Sequence, residues 1–138
     1  MGVPGQDLAA TILAIAMINP HASPQQILFY QVVTFDSRGS IFDKFWFDNG
    51  TFNEPYLTYG VSDSVQHYGL PALTMRKVRT YDLSFADRLK EIVLAGPSSL
   101  DKDLNRWKVA GGLYVGSMVN GEATIRSRIR LIDFTYEM

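Results

Sequence analysis

The chain has no cysteine, so a disulfide framework, thiolate metal sites and cysteine nucleophiles are excluded together. Histidine is nearly as scarce, with His21 and His67 the only two in 138 residues. A hydrolytic triad would need one of them beside a serine and a carboxylate, and no Gly-x-Ser-x-Gly elbow is present. Charge of one sign is also missing: the net charge of −1 argues against a general nucleic-acid binder. The apolar run Leu8–Ile18 is interrupted only by Thr11, and its eleven residues fall short of the roughly 20 that a membrane helix needs. Asp7 precedes that run and the first cation is Arg38, which is the wrong charge order for a signal peptide. Gln6 stands where a myristoylation signal expects serine or threonine. A cytoplasmic protein without an anchor is expected, or a virion protein if the chain is viral.

What is present is the composition of one folded domain. The apolar fraction is 46% and the charged fraction 20%, with no repeat, linker or low-complexity tract. Residues 1–138 are therefore expected to form a single domain, large enough to support a core without staples. Asp7 is a good N-cap and Asn19-Pro20 a good stop, so Leu8–Ile18 is expected as a buried N-terminal helix, apolar on every side. Ile27–Phe35 and Ile41–Asp48 read as strands, and Asn49-Gly50 as a hairpin turn leading into a return strand from Thr51 that Pro55 interrupts. Residues 62–71 mix Gly, Pro and polar side chains without period and read as a loop; Leu73–Tyr81 reads as a further strand. Ser84, with Asp87 three residues on, opens a helix that Gly96-Pro97 ends, and a short helix is expected over Ser99–Trp107. Val109–Val119 and Ala123–Tyr136 flank Asn120-Gly121 as a C-terminal hairpin. The expected class is α+β: an antiparallel sheet of about five to six strands, the N-terminal helix, and one or two helices near residues 84–107.

Charge is divided along the chain. Residues 1–70 carry two cations against six acids, and residues 71–138 carry eleven cations against eight acids. Arg126, Arg128 and Arg130 alternate with Ser127 and Ile129, so in a strand all three project from one face, and Lys77 and Arg79 could extend it. Arginine's planar fork suits phosphate, which makes this a candidate polyanion surface; the plainer reading is a solvated sheet face paired with acids across the strand.

Aromatic residues make up 12% of the chain and concentrate between Phe29 and Phe52. In a strand Phe45 and Phe47 share one side and Trp46 takes the other, so the segment is apolar on both faces. One cover is the core. The other is a second element of the same chain or a neighbouring subunit, and Trp46, Phe45, Phe47, Ile12 and Ile15 are the candidate interface residues. Asp36, Asp43, Asp48 and Glu54 gather near the Asn49-Gly50 turn but match no calcium-loop spacing, and turns recruit aspartate for local bonds, so no metal site is assigned. Gly111–Gly116 lacks the Lys-Ser/Thr of a P-loop. His67, beside Tyr68, is the candidate for a small pocket, against the plainer reading of a surface histidine.

The order of helix, strands, helices and terminal hairpin is similar to that of small phage head–tail connector or tail-terminator subunits, which pack helices on a sheet and form rings. That resemblance, with the lack of catalytic motifs, implies a non-enzymatic structural subunit of a homo-oligomer with no cofactor, binding copies of itself or neighbouring structural proteins. The alternatives are a nucleic-acid or other polyanion-binding module using the arginine face, and a small ligand-binding domain or enzyme near His67.

Overall fold

A computed structural model of the chain describes residues 8–39, 45–74, 79–110 and 114–120. Its framework is a mixed sheet of seven strands: β1 (Leu8–Asn19), β2 (Gln25–Asp36), β3 (Trp46–Phe47), β4 (Thr51–Asn53), β5 (Tyr56–Ser64), β6 (Lys108–Val109) and β7 (Tyr114–Asn120). Among the described residues there is one α-helix, α1 (Phe85–Ala95), and two short 3-10 turns, Val65–Tyr68 and Leu104–Arg106. The class is α+β, as expected.

The first correction concerns residues 8–18, which form β1 and not a helix. β1 is the central strand of its half of the sheet, paired antiparallel with β2 on one side and with β6 and β7 on the other. An apolar run suits a strand in the interior of a sheet, and Thr11, Ile12, Ile15 and Ile18 supply the β-branched side chains that a strand accommodates. With β1 in place of a helix, the element order that resembled connector subunits no longer holds at its start.

A second correction is that the sheet is not wholly antiparallel. β2 and β5 run parallel, from Gln25 beside Tyr56 to Val33 beside Ser64. The intervening chain makes this possible by folding along the outer edge of β5, where β3 and β4 both pair antiparallel with it. Asn49-Gly50 is consequently a bulge in an edge strand and not a hairpin turn. Phe47 lies opposite Val61 and Thr51 opposite Thr58, so one more residue is used on the edge than on β5. Asp48 holds the bulge, accepting from the Gly50 amide at 3.0 Å and the Gly60 amide at 2.8 Å. Gly50 has φ 92°, and a Cβ there would sit 2.7 Å from the ring of Tyr59, so glycine is required on both counts. The hairpin turn is Glu54-Pro55, between β4 and β5.

One face of the sheet holds the core. Alternate residues of β2 are buried, and Leu28, Tyr30 and Val32 meet Ile15 of β1 and Tyr59 and Val61 of β5. α1 closes this layer with Leu89, Ile92 and Val93, and Phe85 packs edge-on against Tyr30 at 5.9 Å between centroids. The Ser84 expectation holds for the helix start, although Ser84 Oγ donates to Asp87 Oδ2 and makes no bond to the helix backbone. At the other end Lys102 Nζ donates to the carbonyls of Val93, Gly96 and Pro97 at 2.7–3.0 Å, satisfying the last turn. The helix expected over Ser99–Trp107 reduces to the 3-10 turn at Leu104–Arg106, where Asp103 accepts from the Asn105 amide and holds the chain out of a longer helix.

Residues 62–71 are not a loop throughout: β5 continues to Ser64 and Val65–Tyr68 forms a 3-10 turn. The period missed there is that of Tyr59, Val61 and Asp63, which alternate into the core. Of the strand expected over 73–81, the described residues at either end are irregular and 75–78 lie outside the described residues. β7 supplies the first arm of the expected terminal hairpin and pairs with β1; the second arm, 123–136, lies outside them as well.

Candidate functional site

The last core-facing residue of β5 is Asp63, whose side chain has no solvent exposure. Four groups converge on it. Tyr30 Oη, from β2, donates to Oδ2 at 2.7 Å, and Arg88 Nε, from α1, donates to the same oxygen at 2.9 Å. The Ser64 amide donates to Oδ1 at 2.8 Å, and His67 Nδ1 meets that oxygen in close contact. An ionised carboxylate only accepts, so Nδ1 carries the proton in this contact. Tyr30 Oη also lies 2.8 Å from Tyr68 Oη, and Arg88 reaches Glu91 at 3.1 Å.

Electrostatics follow from that arrangement. Burial alone would push the Asp63 carboxyl up, but donation from Arg88, Tyr30, the Ser64 amide and His67 outweighs it and holds the pKa below the usual carboxylate value. Burial and the bonds to Tyr68 and Asp63 push the Tyr30 phenol far above its ordinary value, so it stays a neutral donor. Burial likewise pushes Tyr68 up to about 12. Burial works against the Arg88 guanidinium, and its bond to Asp63 overcomes that and raises its pKa.

Phe45 closes the cluster from outside. The Arg88 guanidinium carbon lies 5.3 Å from the Phe45 ring centroid, and His67 packs edge-on to the same ring at 6.2 Å. Beside it a shallow groove of about 520 Å³ runs between β3 and α1, walled by Phe45, Phe47, Ile92 and Pro97. The roughly four acceptor positions of the Asp63 carboxylate are taken by four partners, which leaves none to accept a substrate proton. What the cluster does is tie α1 and the 3-10 turn to the sheet.

The residues singled out from the sequence are dispersed. His67 is bonded to a carboxylate, beyond the surface position expected of it, and its side chain is 27% exposed. His21 follows the Asn19 turn, its amide bonded to Asn19 Oδ1. Trp46 and Phe45 are exposed at 56% and 44%, whereas Phe47 turns inward against Tyr59. Ile12 and Ile15 are both covered within the chain, Ile15 in the core beneath α1. Asp36 pairs with Arg38 and Asp48 holds the bulge; Asp43 lies outside the described residues, and no group of acids and histidines able to hold a metal occurs among them. Arg79 is exposed and outside any strand, while Lys77, Arg126, Arg128 and Arg130 lie outside the described residues, as do Gly111 and Gly112.

Asp63, Tyr30 and Arg88 carry the cluster, and sequence reasoning passed over all three. The alternation Tyr59, Val61, Asp63, Val65 was the available signal, since it aims a carboxylate into an apolar layer. No helix among the described residues is long and apolar enough to cross a membrane. No family model matches the chain, and neither a curated protein nor a solved structure matches it.

Proposed function

We propose that the chain is a non-enzymatic structural subunit of a homo-oligomeric assembly. The observation that carries this reading is the number of large apolar side chains left in solvent. Phe29, Trp46, Phe52, Leu94 and Tyr114 are each more than half exposed. Single exposed apolar residues are ordinary on a monomer, but aromatic side chains are enriched where one protein meets another, and four of these five are aromatic. The saturated Asp63 supports the same reading, because the best-placed carboxylate is engaged in holding the fold together. The finer proposal is a connector- or tail-type component of a virus or phage particle, located in the cytoplasm before assembly and in the virion after it. It rests on the strands and the helix α1 that, among the described residues, remain of the expected element order.

The test is sedimentation velocity over a hundredfold concentration range. A species heavier than one chain, populated increasingly with concentration, is the expected result. A single monomeric boundary throughout would remove the reading.

A further inference from the structure

We propose that Asn49-Gly50 is a site of self-catalysed deamidation, and that Asp48 is the group that keeps it unreacted while the chain is folded. The proposal concerns the bulge at the edge of the sheet and is independent of the assembly reading above.

The chemistry needs only the chain and water. The main-chain nitrogen of the residue after an asparagine attacks the side-chain Cγ. The N–Cγ bond forms, the Cγ–Nδ2 bond breaks, and the amide proton leaves with the departing nitrogen as ammonia. Water then opens the cyclic imide at either carbonyl, giving aspartate or an isoaspartyl link whose main chain is one carbon longer. Glycine after the asparagine favours ring closure, because it has no Cβ to crowd the ring and its main chain turns freely. Asn49 is exposed and is followed by Gly50, and both fall between the end of β3 at Phe47 and the start of β4 at Thr51.

The restraint lies on the attacking nitrogen. The Gly50 amide donates to Asp48 Oδ1 at 3.0 Å. The other carboxylate oxygen, Oδ2, accepts from the Gly60 amide at 2.8 Å, and the Asp48 amide donates to the Gly60 carbonyl at 3.1 Å. Asp48 is thereby tied to β5 and does not follow Gly50 if its peptide turns. To react, the Gly50 nitrogen has to give up its proton and present a face of its peptide plane to Asn49 Cγ. A proton bound to an anion is harder to remove, and the turn breaks the bond. A hydrogen bond to a charged group is strong enough to slow such a step about ten- to a hundredfold. The buried Tyr59 ring adds a wall on one side, 2.7 Å from where a Cβ of Gly50 would stand.

The isoaspartyl product does not fit this bulge. Between the pairs Phe47–Val61 and Thr51–Thr58 the edge already carries one more residue than β5, and an added main-chain carbon lengthens it again. The reaction therefore loosens β4 from β5, and Asn49 keeps an irreversible record of the time this edge has spent open.

The experiment incubates the full chain at mildly alkaline pH and follows Asn49 by peptide mapping, with aspartyl and isoaspartyl products resolved by mass spectrometry and chromatography. Conversion in the folded wild type should be at least about tenfold slower than in the same chain held unfolded in urea, where the bond to Asp48 is gone. Asp48→Ala, shown to be folded by circular dichroism, should convert at least about tenfold faster than folded wild type. Asp48→Asn keeps an oxygen acceptor without the charge and should fall between the two. Tyr30→Phe, which weakens the core far from the bulge, should convert at the wild-type rate under conditions where it is folded. No conversion at Asn49 in urea would remove the site. Equal rates in folded and unfolded wild type, or in Asp48→Ala and wild type, would overturn the role of Asp48. So would a Tyr30→Phe rate raised as far as that of Asp48→Ala, because conversion would then follow global unfolding and not this bond.

Discussion

Arg88 on α1 donates through Nε to the buried carboxylate of Asp63 at the end of β5, 2.9 Å away, and so fixes the helix on the sheet. The side chain of Asp63 is wholly covered, while that of Arg88 is 24% exposed and reaches Glu91 at the surface. Removing the cation leaves a buried carboxylate that has lost its arginine and keeps three hydrogen-bond partners. Arg88→Met is accordingly expected to cost about 3–5 kcal/mol of stability in urea unfolding. The double variant Asp63→Asn with Arg88→Met should cost less than the sum of the two single changes, because neither then leaves a lone charge. Additive losses would show that the two residues are not coupled.

Tyr30→Phe should cost about 1.5–3 kcal/mol, since it removes a donor to a charged acceptor and the partner of Tyr68 while preserving the core ring. Oligomer mass should not change, because Tyr30 is buried in the layer beneath α1. A stability equal to that of wild type would mean that the phenol contributes nothing to the cluster.

The same cluster sets a pH dependence at both ends. The Asp63 pKa is depressed in the folded chain, so its stabilisation is present above the unfolded value of about 4 and is lost as pH falls through the folded value. Tyr68 is raised to about 12, so its contribution is present below the ordinary phenol value and is lost as pH rises from there to about 12. Unfolding free energy against pH should fall at both extremes. Asp63→Asn should flatten the acid limb only, and Tyr68→Phe should reduce the alkaline limb only. An acid limb unaltered in Asp63→Asn would assign it to other carboxylates.

Gly50→Ala should destabilise by about 1–3 kcal/mol, because it forces a side chain into the left-handed region. The added methyl also meets Tyr59, which is 1% exposed and cannot swing aside. Replacing Gly39, which has φ 66° but open space around it, should cost less. Equal losses at the two glycines would mean that the Tyr59 contact has no energetic weight.

Local signals in the sequence read well where one element decided its own conformation. The helix after Ser84 and the strand over Ile27–Phe35 are both present, as α1 and β2. Where neighbours decide, the reading failed. Leu8–Ile18 is apolar on both faces in either conformation, and only its pairing with β2 and β7 selects the strand. Asn49-Gly50 has the residues of a hairpin turn, yet β5 takes both flanking segments on one edge and makes it a bulge. The Asp63 cluster was invisible for the same reason: Tyr30, Asp63 and Arg88 lie 25 or more residues apart and meet only after β2, β5 and α1 have packed. His67 was noticed from its residue type, but its partner could be identified only once β5 was seen to reach Ser64.

The most direct test of the account is the mass of the wild-type chain by static light scattering at neutral pH and moderate salt. The account predicts a mass that is a whole multiple of the 15.5 kDa chain, falling toward one chain on dilution. A mass of one chain at the highest attainable concentration would contradict it.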